Sequence, residues 1–134
     1  MNAEAEIDRL RTNRITGEII NRSLQVHSKL GPGLLESVYH ACLMHDLIKC
    51  GIQVQSQLWL PVIYDGLCIN AGYRIDLLVA DTVIVEVKSI EQILPVHLAQ
   101  LLTYLRLAQK PVGLLINFNV TRLREGVKRI VNNF

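Results

Sequence analysis

Tyr73-Arg74-Ile75-Asp76-Leu77-Leu78-Val79, Ala80-Asp81-Thr82, Val83-Ile84-Val85-Glu86-Val87-Lys88: the fold turns on how this stretch is read. The run from Thr82 to Lys88 is apolar enough for a central strand covered on both faces. Side chains alternate along a strand, so Glu86 and Lys88 share one face while Val85 and Val87 share the other. Ionised groups are seldom buried unless they are paired or hold a metal. The segment before them supplies a partner. With Ala80-Asp81-Thr82 as a three-residue hairpin loop, Asp76 falls opposite Glu86, Leu78 opposite Ile84, and Arg74 opposite Lys88. Opposed residues have Cβ atoms about 4.5–5.5 Å apart, where like charges repel. Two facing carboxylates beside a lysine make sense around a hard cation such as Mg²⁺, which takes one or two carboxylates plus water and phosphate oxygens. A slip of one residue would turn Asp76 to the wrong face. An E-x-K triplet alone is commonly a surface ion pair; the apolar flanks and the register set this one apart.

Two helices are expected before this hairpin. Ile15, Ile19, Val26 and Leu30 recur at helical spacing over roughly residues 5–30, and Gly31-Pro32-Gly33 ends that helix. A second follows over about 34–50, with Leu35, Val38, Cys42 and Ile48 inward and Gly51 as its C-cap. Val54, Leu58, Leu60 and Val62 alternate as a strand, and Asp65-Gly66 marks a hairpin turn. Beyond the quoted stretch, Pro95 opens a helix to about Ala108 and Val112–Phe118 returns as a buried strand. Val127–Val131 reads as an edge strand. The order ααβββαβ(β) implies an α/β fold with a mixed sheet flanked by helices. No repeat or linker interrupts residues 1–134, so one domain is expected.

Half of the residues are apolar, so a core can form without disulfides or structural metal. Cys42, Cys50 and Cys68 show no zinc-ligand spacing and read as packed, reduced thiols. The acidic first ten residues have no apolar core, so no secretory signal is expected, and no apolar run approaches the roughly 18 residues needed to span a bilayer. The expected location is cytoplasmic, away from membranes. Residues 106–134 hold six basic side chains against Glu125 alone, which leaves −3 on the preceding 105 residues of this +2 chain. Such an end is either a solvated face or a contact for phosphate backbone.

Asp76…Glu86-Val87-Lys88 resembles the D-x(n)-E-x-K core of the PD-(D/E)XK nuclease superfamily, and Gly33-Leu34-Leu35-Glu36-Ser37-Val38-Tyr39 resembles the signature of its small GxxExxY family. Ile75 stands where the superfamily's name has proline. The resemblance implies a restriction-endonuclease-like core and a Mg²⁺ (or Mn²⁺) site. Asp76, Glu86 and the backbone carbonyl of Val87 would be the ligands. It also implies that Lys88 assists the attacking water and the phosphate charge, with Glu36 as the additional acidic residue. Gln100 and Tyr104, four apart on one helix face, resemble the Q-x-x-x-Y motif of the lambda-exonuclease-like branch. The implied activity is hydrolysis of nucleic acid, DNA ahead of RNA. With no extra recognition domain little of the chain is left for base readout, so little sequence preference is expected.

The alternative is a non-catalytic nucleic-acid-binding or assembly module on the same fold. So small a chain has few elements to grip a duplex unless it forms a homo-oligomer. Against the alternative, a retired site has no evident physical need for two mutually repelling carboxylates.

Overall fold

The computed structural model describes residues 2–134. Helix α1 (Ala3–Leu30) starts where the Asn2 side chain accepts a hydrogen bond from the Ala5 N–H, 2.7 Å, and is followed by α2 (Glu36–Lys49). Strands β1 (Val54–Trp59), β4 (Arg74–Val79), β5 (Val83–Lys88), β6 (Val112–Asn117) and β7 (Val127–Val131) form a sheet in the order β1-β4-β5-β6-β7. Helix α3 (Pro95–Ala108) makes the crossover between β5 and β6, the one parallel pair. The Asp65-Gly66 turn closes a separate small hairpin, β2 (Val62–Tyr64) with β3 (Leu67–Ile69). The alternating run from Val54 is therefore split at Leu60-Pro61, because proline cannot donate to the ladder. Val127–Val131 is the edge strand expected.

Each face of the sheet carries its own apolar cluster. Leu77, Val79, Val83, Val85, Val87 and Leu114 pack under α1 and α2. Ile75, Leu78, Ile84 and Leu115 pack under Leu101, Tyr104 and Leu105 of α3. Gly113 lets α3 sit directly on β6: a Cβ there would come 2.8 Å from the Leu101 side chain.

The buried face of α2 differs from expectation. Tyr39, Leu43 and Leu47 are inside, whereas Leu35, Val38 and Ile48 are exposed. Apolar residues lie all around this helix, so the surface beneath it selects the stripe. On α1, Ile19 and Val26 are buried as expected but Leu30 is exposed. Thr12, Thr16 and Ser23 join the buried stripe by returning their hydroxyls to the carbonyls of Asp8, Asn13 and Ile19. All three cysteines are free; Cys50 and Cys68 are exposed and Cys42 is half-buried, so the expected packing holds only for Cys42. No helix among the described residues is long and apolar enough to cross a membrane.

Candidate metal centre

The hairpin of β4 and β5 keeps the register read from the sequence for three pairs, among them Leu78 opposite Ile84 and Leu77 opposite Val85. The expected pairs Asp76–Glu86 and Arg74–Lys88 do not form, and Arg74 pairs with Trp59 of β1 instead. Ala80 and Asp81 both take positive φ to turn the loop. The backbone ladder then stops, and side chains take its place. The Asp76 N–H donates to Glu86 Oε2, 2.9 Å, and the Val87 N–H donates to Asp76 Oδ2, 2.9 Å. Each carboxylate thus accepts a backbone N–H through one oxygen, and the two carboxyls lie side by side.

The interruption has a local cause. Leu77 and Val79 belong to the cluster under α1 and α2, yet Ile75 belongs to the one under α3, so alternation reverses across Asp76. Opposite it on β1, between the ladder pairs Ser56–Leu77 and Leu58–Ile75, Gln57 sits at φ 58°. A left-handed glutamine inside a strand is strained, and strain of this kind gathers at functional sites. The reversal brings Asp76 into a cavity of about 610 Å³ that Glu36, His40, Gln57, Arg74 and Val87 also line.

Glu86 is only 5% exposed. Burial first, and the neighbouring Asp76 charge second, push its carboxyl from the ordinary 4.5 up to about 8; the Asp76 N–H and the Lys88 charge oppose the rise. Lys88 is half-buried at the end of β5, opposite Asn117 of β6, and does not line the cavity with Asp76. The Phe118 N–H donates to the Lys88 carbonyl, 2.9 Å, so Lys88's main-chain groups point to β6 and those of Val87 point to the β4 side. There the ladder has already ended, which leaves the Val87 carbonyl beyond the last strand partner.

Glu36 begins α2 and accepts a hydrogen bond from the Ser89 N–H through Oε1, 3.2 Å, while the Ser89 hydroxyl donates to the Leu34 carbonyl, 2.6 Å. The first turn of α2 is so stitched to the chain just past Lys88. Tyr39 secures the same turn from inside. Its hydroxyl donates to the Gly31 carbonyl, 2.6 Å, accepts from the Leu34 N–H, 3.1 Å, and its ring stacks on Phe118 with centroids 4.5 Å apart. Tyr39→Phe keeps the stack but orphans both main-chain groups. It is expected to lower unfolding stability by about 1–3 kcal/mol, measurable by chemical denaturation.

Tyr104 comes to the carboxylates from the α3 side. Its phenol is buried and raised above the ordinary value, first by burial and then by the nearby charges of Glu86, Tyr73 and Asp76. Gln100, one turn earlier, is exposed and lies outside the cavity of Asp76 and Glu36. The Q-x-x-x-Y pair is therefore divided: the tyrosine lies near Glu86, the amide faces solvent.

His40 and Asn117 escaped the sequence reading. His40 Nε2 lies 3.1 Å from both the Asp76 carbonyl and the Ser56 hydroxyl, bracing β4 and β1 against α2. Its spacing of four from Glu36 was the available signal. Buried Asn117 accepts from the Ile90 and Asn119 N–H groups and donates to the Ile90 carbonyl, fixing the loop after Ser89. His27 and His97, by contrast, serve local structure: His27 meets the Val120 carbonyl at 2.7 Å, and His97 Nδ1 accepts the Leu94 N–H at the start of α3.

Among the described residues no group of three or more His, Cys, Asp and Glu side chains is close enough to hold a metal. The Asp76 and Glu86 side chains and the Val87 carbonyl offer only hard oxygens, the donor type that suits a cation that keeps several waters. A family model of the PD-(D/E)XK nuclease superfamily matches residues 13–130. The chain belongs to this superfamily, and its mixed five-stranded sheet flanked by helices is the restriction-endonuclease-like fold. No curated protein and no solved structure matches it significantly.

Proposed function

We propose that this chain is a divalent-metal-dependent nuclease of the GxxExxY branch, hydrolysing phosphodiester bonds of nucleic acid, DNA ahead of RNA, with little sequence preference. The observation that carries this reading is the pair Asp76 and Glu86, each pinned through one oxygen by a backbone N–H and set against the other's carboxyl. Asp76, Glu86 and the Val87 carbonyl would hold Mg²⁺ or Mn²⁺, with Glu36 reaching in through water. The bound cation would polarise a phosphoryl oxygen and make a water acidic enough to attack. Lys88, on the Glu86 face of β5, would orient that water and offset charge growing on the phosphate. Tyr104 would donate its hydroxyl from the α3 side, and Gln100 would meet the bound strand from its exposed turn. Arg122 and Arg124 follow β6 at the same end of the sheet and would contact backbone phosphates. Arg129 is engaged elsewhere, with the Asn13 side chain and the Phe134 ring.

The direct test is incubation of the protein with linear single-stranded DNA, duplex DNA and RNA in Mn²⁺. The wild type should degrade at least one of them, and Asp76→Asn should degrade none. Binding without cleavage, indifferent to Glu86→Gln and lost when Arg122, Arg124, Lys128 and Arg129 are neutralised, would establish the binding module instead.

A further inference from the structure

The surroundings of Asp76 extend beyond the carboxylate cavity. Arg74, two residues earlier on β4, lines that cavity and also holds its guanidinium 5.1 Å from the centroid of the Trp59 ring, its register partner on β1. No carboxylate among the described residues forms an ion pair with Arg74. A second cavity, of about 220 Å³, opens between Trp59, Leu60, Pro61, Asn70, Gly72 and Tyr73. Trp59 is 68% and Tyr73 43% exposed. The Tyr73 ring lies 6.2 Å from that of Tyr104, which leads back to Glu86. An uncharged, aromatic-walled cleft is thus joined to the two carboxylates by one uncompensated arginine.

We propose that this cleft is a nucleobase site, in which an unpaired base stacks against Trp59 and Tyr73 while Arg74 takes the adjoining phosphate. The substrate class is then single-stranded or frayed nucleic acid. The inference rests on the reading of the chain as an enzyme of nucleic acid, and it adds which form of strand enters. Aromatic faces accept any base, so such a cleft adds affinity without sequence preference. A paired base keeps its faces stacked inside the duplex and cannot enter. Tyr73 precedes Asp76 by three residues, about 10 Å along an extended strand. A base held here therefore belongs to a nucleotide close to the phosphate being cut. The exposed apolar side chains of the neighbouring hairpin, Ile63, Tyr64 and Leu67, do not line the cleft, and Arg74 favours a phosphate-bearing ligand over a protein surface.

Trp59 is the only tryptophan of the chain, so its fluorescence reports on the cleft alone. The wild type in chelator, where no metal-dependent cleavage occurs, is titrated with oligothymidylate, with an abasic strand of equal length, and with a duplex hairpin lacking unpaired ends. Oligothymidylate should quench the emission, and the other two should not. Tyr73→Leu should weaken oligothymidylate binding on the order of 5- to 100-fold, and Tyr73→Phe should restore it. Trp59→Ala, at an exposed position that tolerates truncation, should show the same loss by anisotropy of a labelled strand. Equal affinity for abasic and base-bearing strands, or no loss in Trp59→Ala, overturns the proposal. So does a change of oligomeric state in Trp59→Ala with no strand quenching the wild type, since the surface then serves a protein partner. Cleavage in Mn²⁺ without quenching overturns the base site alone; quenching without cleavage upholds it and overturns the nuclease.

Discussion

Glu86→Gln is expected to abolish metal uptake and cleavage while making the metal-free protein more stable at alkaline pH. The sign follows from the raised carboxyl. In the unfolded chain Glu86 ionises near its ordinary value of 4.5, and in the folded protein only near 8. Between those values the folded state binds more protons than the unfolded one, so stability is full below about pH 4.5 and declines as pH rises through about 8. The span corresponds to a loss on the order of 3–5 kcal/mol. Glutamine carries no proton to lose, and its amide oxygen can still accept the Asp76 N–H. Denaturant melts at about pH 5 and about pH 9 should therefore show wild type weakening and Glu86→Gln holding level. A variant that weakens in parallel with wild type would mean that Glu86 is already ionised in the folded protein. The same proton must leave when a cation binds, so calorimetry in buffers of different ionisation enthalpy should detect about one proton released near neutral pH.

The second large effect belongs to Lys88. Lys88→Ala is expected to lower turnover by a factor on the order of 10² or more, because a positioned charge next to the reacting phosphate is worth that much in other transition states. Metal affinity should change little, since Lys88 is not a ligand in the proposed set. Its charge does help hold the Glu86 carboxyl down, so some affinity is lost near neutral pH and regained at about pH 9, where Glu86 is ionised in either protein. The turnover deficit should persist at both pH values. If the deficit vanishes at high pH, Lys88 acts only by tuning Glu86 and not on the substrate.

Much of the sheet was legible because two periodicities and one loop length determine it. Alternation from Val83 to Lys88 and the span Ala80-Asp81-Thr82 are enough to set Leu78 against Ile84, and the ladder obeys. The site was legible only as far as that ladder runs. Nothing local to Asp76 announces the reversal of alternation there, since it depends on Gln57 across the strand and on which helix claims Ile75. The buried face of helix α2 departs from its apolar pattern for a related reason. Leu35, Val38 and Ile48 are as apolar as Leu43 and Leu47, and the choice between them is made by the sheet. Gln100 and Tyr104 do share a helix face, but spacing says nothing of depth. Tyr104 is buried beside Tyr73 while Gln100 projects one turn further out.

The two carboxylates also answer an objection raised by the sequence, that an inactive chain would have no need of them. Asp76 and Glu86 are rungs of the sheet, closing the hydrogen bonds of the Val87 and Asp76 amides where no carbonyl is within reach. Removing either acceptor leaves a main-chain donor unsatisfied beside the core, at a cost of about 1–3 kcal/mol. The architecture would thus select for side-chain acceptors at these positions, acid or amide, even in a descendant that had given up hydrolysis. Their persistence in a relative testifies to folding as much as to chemistry. Lys88, whose side chain closes no such rung, is the residue whose loss would mark a lineage that has stopped cutting.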